Sequence, residues 1–283
     1  MAFTPNVWVS PTTGDWNTAG NWSLNLVPTT SHDPVFDGTS QVSVTTTLDR
    51  TADGTWGTDR QLLVTKNYTG SIGGTGNPLK MNFTGLVKYQ GAGDEFWFEN
   101  LNATGVLRFI AAPRIRGTNA CVIDGKVIDL AVIGGRATLD SSAILTGFVY
   151  VMADPESAVP PLLVAGTGAT VSGTKLIQTA GEIQSGLAWP DVNIRGGYFR
   201  HDSGTIAAAV LSGGEYQPNA GTVTTLHHLG SGKFDGAKYR GWTVTLMHAG
   251  DGAVVDLRNG AGKVPTTFRQ YPGLTLFQDA AEV

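Results

Sequence analysis

The 283-residue chain carries 19 Lys and Arg against 23 Asp and Glu, a formal net charge of −4, with no basic cluster; this excludes the phosphate-neutralising surface that nucleic-acid binding needs and leaves nothing to attract anionic lipid. Only 15% of residues are charged and 38 are glycine, the balance of a chain with many tight corners and not of one built from amphipathic helices. The single cysteine, Cys121, excludes an intramolecular disulfide framework and a cysteine-based zinc site, and no stretch approaches the 18 apolar residues of a membrane-spanning helix.

The amino terminus, Met1 to Asn6, lacks a basic and then apolar leader, so no secretory signal is expected. Residues 1–41 differ from the rest. Trp8, Trp16 and Trp22 fall there, with Trp56 shortly after, and the phrase Gly14-Asp15-Trp16-Asn17-Thr18-Ala19-Gly20-Asn21-Trp22 leads to Val27-Pro28 and Asp33-Pro34-Val35-Phe36. Indoles that bury a large area, set among Asn, Asp and Gly that favour tight turns, suit a lid over the open end of an apolar column. The competing reading is an exposed aromatic platform that stacks on sugars.

From Gln41 to Leu48 the alternation Val42, Val44, Thr46, Leu48 predicts a half-buried strand. Short glycine-broken strands follow: Leu62 to Val64, Tyr68 to Gly73, Leu79 to Phe83, Leu86 to Tyr89, Phe96 to Phe98, Gly105 to Ile110, and Val122 to Ile133 in pieces. Ala153 to Pro161 holds three prolines, which cannot donate to a ladder, and is read as an excursion from the side of the column. Ser185 to Asp191 is read as a second loop that lifts Trp189 out.

The clearest regularity lies between Gly196 and Leu257. Gly196-Gly197-Tyr198-Phe199, Gly213-Gly214-Glu215-Tyr216, Ser231-Gly232-Lys233-Phe234 and Asp251-Gly252-Ala253-Val254 repeat one phrase, with second glycines 17, 18 and 20 residues apart. A near-constant short period with a glycine at each corner predicts stacked coils, since one coil alone cannot bury its apolar face. The expected fold is therefore all-β, a single-column parallel β-helix, with a Trp-rich cap over 1–41, a solenoid over 42–260 and an aperiodic cap or connector arm over 261–283. Right-handed winding is preferred, because the six-residue apolar steps of a left-handed column are not sustained. In the last segment Phe268, Tyr271, Leu274, Leu276 and Phe277 are too apolar for a free tail and are the candidate oligomer or docking residues.

The opening phrase, carried by Trp16, Asn21, Trp22, Pro28, Asp33 and Phe36, resembles the Trp-rich start of bacterial and phage β-helical surface proteins. The Tyr68-Thr69-Gly70-Ser71-Ile72-Gly73 corner is similar to coil corners in the same proteins. The resemblance is to bacteriophage virion accessory proteins of the head-decoration, fibre or spike kind. It implies a non-enzymatic structural protein on a virion, made in the host cytoplasm without a signal peptide. Its implied partners are the major capsid or another virion protein, with a surface glycan if the aromatic platform is real. Composition adds copies of the chain itself: so few charges leave the outer walls of a slim column neutral, so lateral packing of identical columns is expected, a symmetric homo-oligomer and a trimer for choice. A polysaccharide-acting tailspike-like enzyme and a bacterial surface adhesin are the alternatives.

No cofactor, metal or catalytic residue is expected. His227 and His228 are neighbours on a strand and point to opposite faces, so one ion would need partners from other coils; the same geometry separates His201 from Asp202, and His248 is read at a corner. Asp94, Glu95, Glu99, Asp124, Asp129 and Asp140 are available for glycoside hydrolysis, which needs two carboxylates about 5–10 Å apart, but none forms a recognisable pair. The glycines from Gly70 to Gly76 lead into a strand, not the helix a phosphate loop requires. The sequons at Asn21, Asn67, Asn82 and Asn102 are read as by-products of an Asn- and Thr-rich β-chain.

Overall fold

The computed structural model describes residues 3–12, 14–102, 107–155, 157–173, 175–258 and 263–278. Within them the chain is a parallel β-helix. Successive strands alternate between two long walls, and every pairing between named strands is parallel. The first wall has thirteen strands, from Pro5–Val7 and Asp33–Phe36 to Thr243–Gly250 and Thr267–Gln270. The second runs from Thr55–Trp56 to Thr275–Phe277, with Ile144–Leu145 and Thr170–Val171 as a short side ladder. No α-helix occurs among the described residues, and no helix there is long and apolar enough to cross a membrane.

Alternation along each strand, a consequence of the two-residue period of extended backbone, sends one set of side chains inward. On the first wall Leu176, Val192, Ala209, Leu226 and Met247 are buried and in register; opposite them stand Ile183, Phe199, Tyr216, Phe234 and Val255. The walls thus share one continuous apolar core. Coil length varies along it. Register steps are 28 residues from Val7 to Val35 and from Val35 to Leu63, shorten to 16 and 17 from Ile177 to Asn193 to Val210, and lengthen to 21 from His227 to His248.

The corners explain part of the glycine content. Gly197, Gly214 and Gly252 have φ of 81°, 70° and 87°, where a side chain is strained. A Cβ at Gly214 would also stand 2.5 Å from the Gly197 carbonyl oxygen of the coil below. In the third phrase the left-handed corner is Gly230, φ 80°, and not Gly232; Gly232 is small because a Cβ there would lie 2.8 Å from Leu211 Cγ.

The column reaches beyond the 42–260 expected for it. Pro5–Val7 and Asp33–Phe36 are already rungs of the first wall, and Thr267–Gln270 and Thr275–Phe277 pair in register with the coil before them. The stretch 41–48, expected as a strand, is instead held by single bridges, Asp15 to Thr46 and Val44 to Ile72; Ile72 bridges on to Phe96, so these residues form a loose third side. The strand expected from Gly105 begins, among the described residues, at Arg108. Trp189 is not lifted out: it is buried, its indole N–H donates to Ser185 Oγ at 2.7 Å, and it pairs with Ile206 of the next rung. An indole and Leu187 facing the core outweigh the turn character of the Gly and Pro around them.

The N-terminal end is closed by aromatic packing. Trp8, Trp16, Trp22 and Phe36 are buried against one another, with ring centroids 4.8 to 6.0 Å apart. None of these rings is a surface platform for sugars. Asn21 Nδ2 donates to the Asp15 carbonyl at 2.9 Å, and Pro28 is buried. The fully buried Asp33 carboxylate takes the Thr4 N–H (2.6 Å), the Gln61 N–H (2.7 Å) and the Arg60 guanidinium (3.3 Å), joining the first three rungs.

Candidate functional site

With the interior filled by packing, the outward ladders of the walls are where chemistry can reach solvent. On the first wall one ladder runs Lys88, Ile110, Ala131, Tyr150, Ile177, Asn193, Val210, His227, His248, Arg269. A parallel one includes Leu86, Arg108 and Asp129, then Phe148, Lys175 and Asp191. Between them lies a groove of about 620 Å³ over Arg108, Ile110, Asp129, Ala131, Phe148 and Tyr150. The small Ala131 forms its trough. Phe148, 45% exposed, and Tyr150 occupy alternate positions of one strand, so their rings lie side by side, 5.9 Å apart and 23° from parallel. Arg108 and Asp129 make a loose, solvent-exposed ion pair at 3.9 Å.

A second groove, of about 540 Å³, lies on the other wall between Glu99, Leu101, Asp124, Lys126, Ser142 and Ile144. It holds two of the carboxylates singled out from the sequence, Glu99 and Asp124, which are register partners on neighbouring rungs. Both are engaged. Lys80 Nζ lies 3.1 Å from Glu99 Oε2, and this bond holds the ammonium pKa above its usual value. Asp124 accepts from the Gly125 N–H at 2.7 Å and from Ser142 Oγ at 3.1 Å. The other carboxylates lie apart from this pair: Glu95 accepts from Asn119, Asp140 from the Ser141 N–H, Asp129 faces Arg108, and Asp94 is an exposed turn residue.

The histidines divide by face. His228 is buried, with Nε2 2.7 Å from the Gly232 carbonyl oxygen, and His227 beside it faces outward. His201 is buried with Nδ1 2.9 Å from Tyr216 Oη, and burial pushes its pKa down to about 4; Asp202 turns away to bind Arg200 at 2.9 Å. His248 is not at a corner. It lies within the strand Thr243–Gly250, in register with His227 on the rung below, and the two rings stack with centroids 4.9 Å apart and 16° from parallel. Tyr271 continues the stack, its Oη 3.1 Å from His248 Nδ1. Desolvation, His227 and Arg269 together lower the His248 pKa, favouring the neutral ring. Among the described residues no group of three or more His, Cys, Asp and Glu side chains is gathered for a metal. Cys121 is buried and its thiol pKa is pushed up by that burial.

The candidate docking residues form the last coil. Phe268, Leu274 and Leu276 are half-buried against the core, Phe268 in register above Met247 and Leu276 above Val255, while Tyr271 and Phe277 are 48% and 41% exposed. The Arg258 guanidinium lies 4.7 Å from the Phe277 ring centroid. Residues 261–262 and 279–283 of this segment lie outside the described residues.

Two features were not singled out from the sequence: the Phe148 and Tyr150 floor, and the pairing of His227 with His248. The second has a signal. Thr222-Val223-Thr224-Thr225-Leu226-His227 and Thr243-Val244-Thr245-Leu246-Met247-His248 are one phrase repeated 21 residues on.

Comparison of the chain with protein-family models, with curated proteins and with solved structures finds no match.

Proposed function

We propose that the chain is a non-enzymatic structural protein, a stiff column that decorates or projects from a larger particle and stands there as a symmetric homo-oligomer, a trimer. The observation that carries this reading is the division of its side chains. The inward set is spent on one continuous core, while the first wall turns outward the apolar stripe Leu86, Ile110, Ala131, Phe148, Tyr150 and Ile177. Identical columns packed side by side would cover that stripe, and a closed point group limits the number of copies. The carboxylates in the open grooves are held in ion pairs and turns, which supports a structural use over a catalytic one. The resemblance of the Trp16 to Phe36 phrase to phage surface proteins supports a virion as the particle, with the major capsid or another virion protein as the docking partner.

Mass spectrometry of purified particles from the source tests this. The chain is expected in a fixed ratio to the main shell protein; its presence in lysed cells but absence from particles would overturn the reading.

The register pair Glu99 and Asp124 in a 540 Å³ groove favours one second reading, a polysaccharide-acting column. Release of oligosaccharide from a bacterial surface polysaccharide by the wild type but not by Glu99→Gln would establish it in place of the first.

A further inference from the structure

His227 and His248 supply what the adjacent pair His227 and His228 cannot: two imidazoles on the same face, one from each of two neighbouring rungs. Register partners on adjacent parallel strands stand about 4.8 Å apart at the backbone, and the two rings keep that spacing, with centroids at 4.9 Å. Both side chains are on the outer face of the wall, so their rings can rotate about their side-chain bonds and converge. A third ring lies above them. Tyr271 Oη is 3.1 Å from His248 Nδ1, so the ring nitrogen that this contact does not occupy is Nε2. An imidazole held through one nitrogen by an oxygen is the arrangement in which an outer partner orients a ring that binds metal through its other nitrogen.

We propose that His227 and His248 form a two-imidazole site for a first-row divalent transition metal ion. Imidazole nitrogen suits Zn(II), Ni(II) and Cu(II), and water completes the coordination. Tyr271 is a positioning residue, since its hydroxyl meets the far nitrogen of His248 and not the ion. Arg269, in register with His248, is the nearest cationic side chain of that ladder and moderates the affinity. The bound ion staples two adjacent coils near the C-terminal end of the column, where the last rung exposes Tyr271 and Phe277. The site does not depend on the column's being part of a particle.

The test uses the tag-free full-length chain, titrated with zinc chloride and nickel chloride near pH 7.5 by calorimetry. One ion per chain is expected to bind with a dissociation constant in the micromolar range, and binding should raise the melting temperature by mass action. His227→Ala and His248→Ala should each weaken binding at least about tenfold, and Tyr271→Phe by up to about tenfold. His32→Ala, in a surface turn near the other end, should bind as the wild type does. Wild-type melting of the metal-free variants shows that they are folded. No saturable binding up to about 1 mM ion, or binding kept within about twofold in both His227→Ala and His248→Ala, overturns the site. Loss in only one of the two assigns the ion to a single imidazole and overturns the pair.

Discussion

The indole N–H of Trp22 donates to the backbone carbonyl of Trp16 at 2.8 Å, while the two rings meet edge to face at 4.8 Å. The Trp16 indole N–H has no hydrogen-bond partner among the described residues. The cap therefore rests on packing at both positions and on a polar contact at one. Replacing either indole by alanine should cost about 3–5 kcal/mol and uncover the first coil to aggregation. Trp22→Phe, which leaves a buried carbonyl without its donor, should cost about 1 kcal/mol more than Trp16→Phe, which removes an N–H that bonded to nothing. Urea unfolding of the four variants checks this. Equal losses for the two phenylalanine variants would show that the hydrogen bond contributes nothing.

Asp33 makes a different prediction at the same end. Its buried carboxylate holds the Thr4 and Gln61 amides and the Arg60 guanidinium, so Asp33→Ala removes three contacts at once, while Arg60 keeps Asp59 at 3.2 Å and the Ser31 carbonyl at 3.0 Å. A loss of about 2–4 kcal/mol is expected, about 1 kcal/mol for each contact and more for the charged one. Melting of Asp33→Ala within a degree of the wild type would refute the clamp.

The corner glycines separate strain from collision. Gly76 and Gly214 have φ of 75° and 70°, but a Cβ at Gly76 meets nothing within 4 Å whereas one at Gly214 meets the Gly197 backbone. Gly76→Ala should cost about 1 kcal/mol, the price of the left-handed conformation, and Gly214→Ala clearly more. A thermal melt of both variants decides it, and equal costs would mean that the coils do not stack as closely as described.

Acid should weaken the column through its two buried histidines. His201 has its pKa lowered by burial from 6.5 to about 4, and burial lowers that of His228 too. The unfolded chain then binds more protons between these values than the folded one, so stability is whole above pH 6.5 and is lost as the pH falls toward 4. For His201 alone the loss from pH 6.5 to 5 is about 2 kcal/mol. Asp15, Asp49 and Asp256 are lowered from 3.8 by hydrogen bonds from Thr47, Thr51 and Arg258 respectively, so their contributions fade only below that window. Urea midpoints at pH 7 and pH 5, for wild type and His201→Gln, measure the effect. Equal wild-type stability at the two values would contradict it.

The architecture was legible where coils are short and uniform. From Asn193 to Val210 to His227 the steps are 17 and 17, and the glycine phrases keep time with them. Nearer the N-terminus the steps are 28, because loops are inserted between rungs, and Pro5–Val7 and Asp33–Phe36 read as a cap and not as strands. At the other end the step lengthens to 21 and Pro272 follows the strand, so a regular last coil reads as aperiodic. Side-chain facing was only half legible. Phe148-Val149-Tyr150-Val151 alternates, but periodicity does not say which set is inside; here the small valines are buried in register with Leu130 and Val132, and the aromatic rings turn outward. Trp189 erred the other way, since Gly186 and Pro190 read as a loop while the indole between them is core.

Whether the column works as a member of a symmetric assembly is read most directly from its mass in solution. Light scattering on the full-length chain at tens of micromolar should give three times the 29.7 kDa of one chain, about 89 kDa for a closed trimer. Phe148→Ser with Tyr150→Ser on the apolar stripe, or Tyr271→Ser with Phe277→Ser on the last coil, should shift that mass toward one chain without lowering the melting temperature of the column by more than a few degrees. A full-length protein that stays at 29.7 kDa across that concentration range would contradict the assembly.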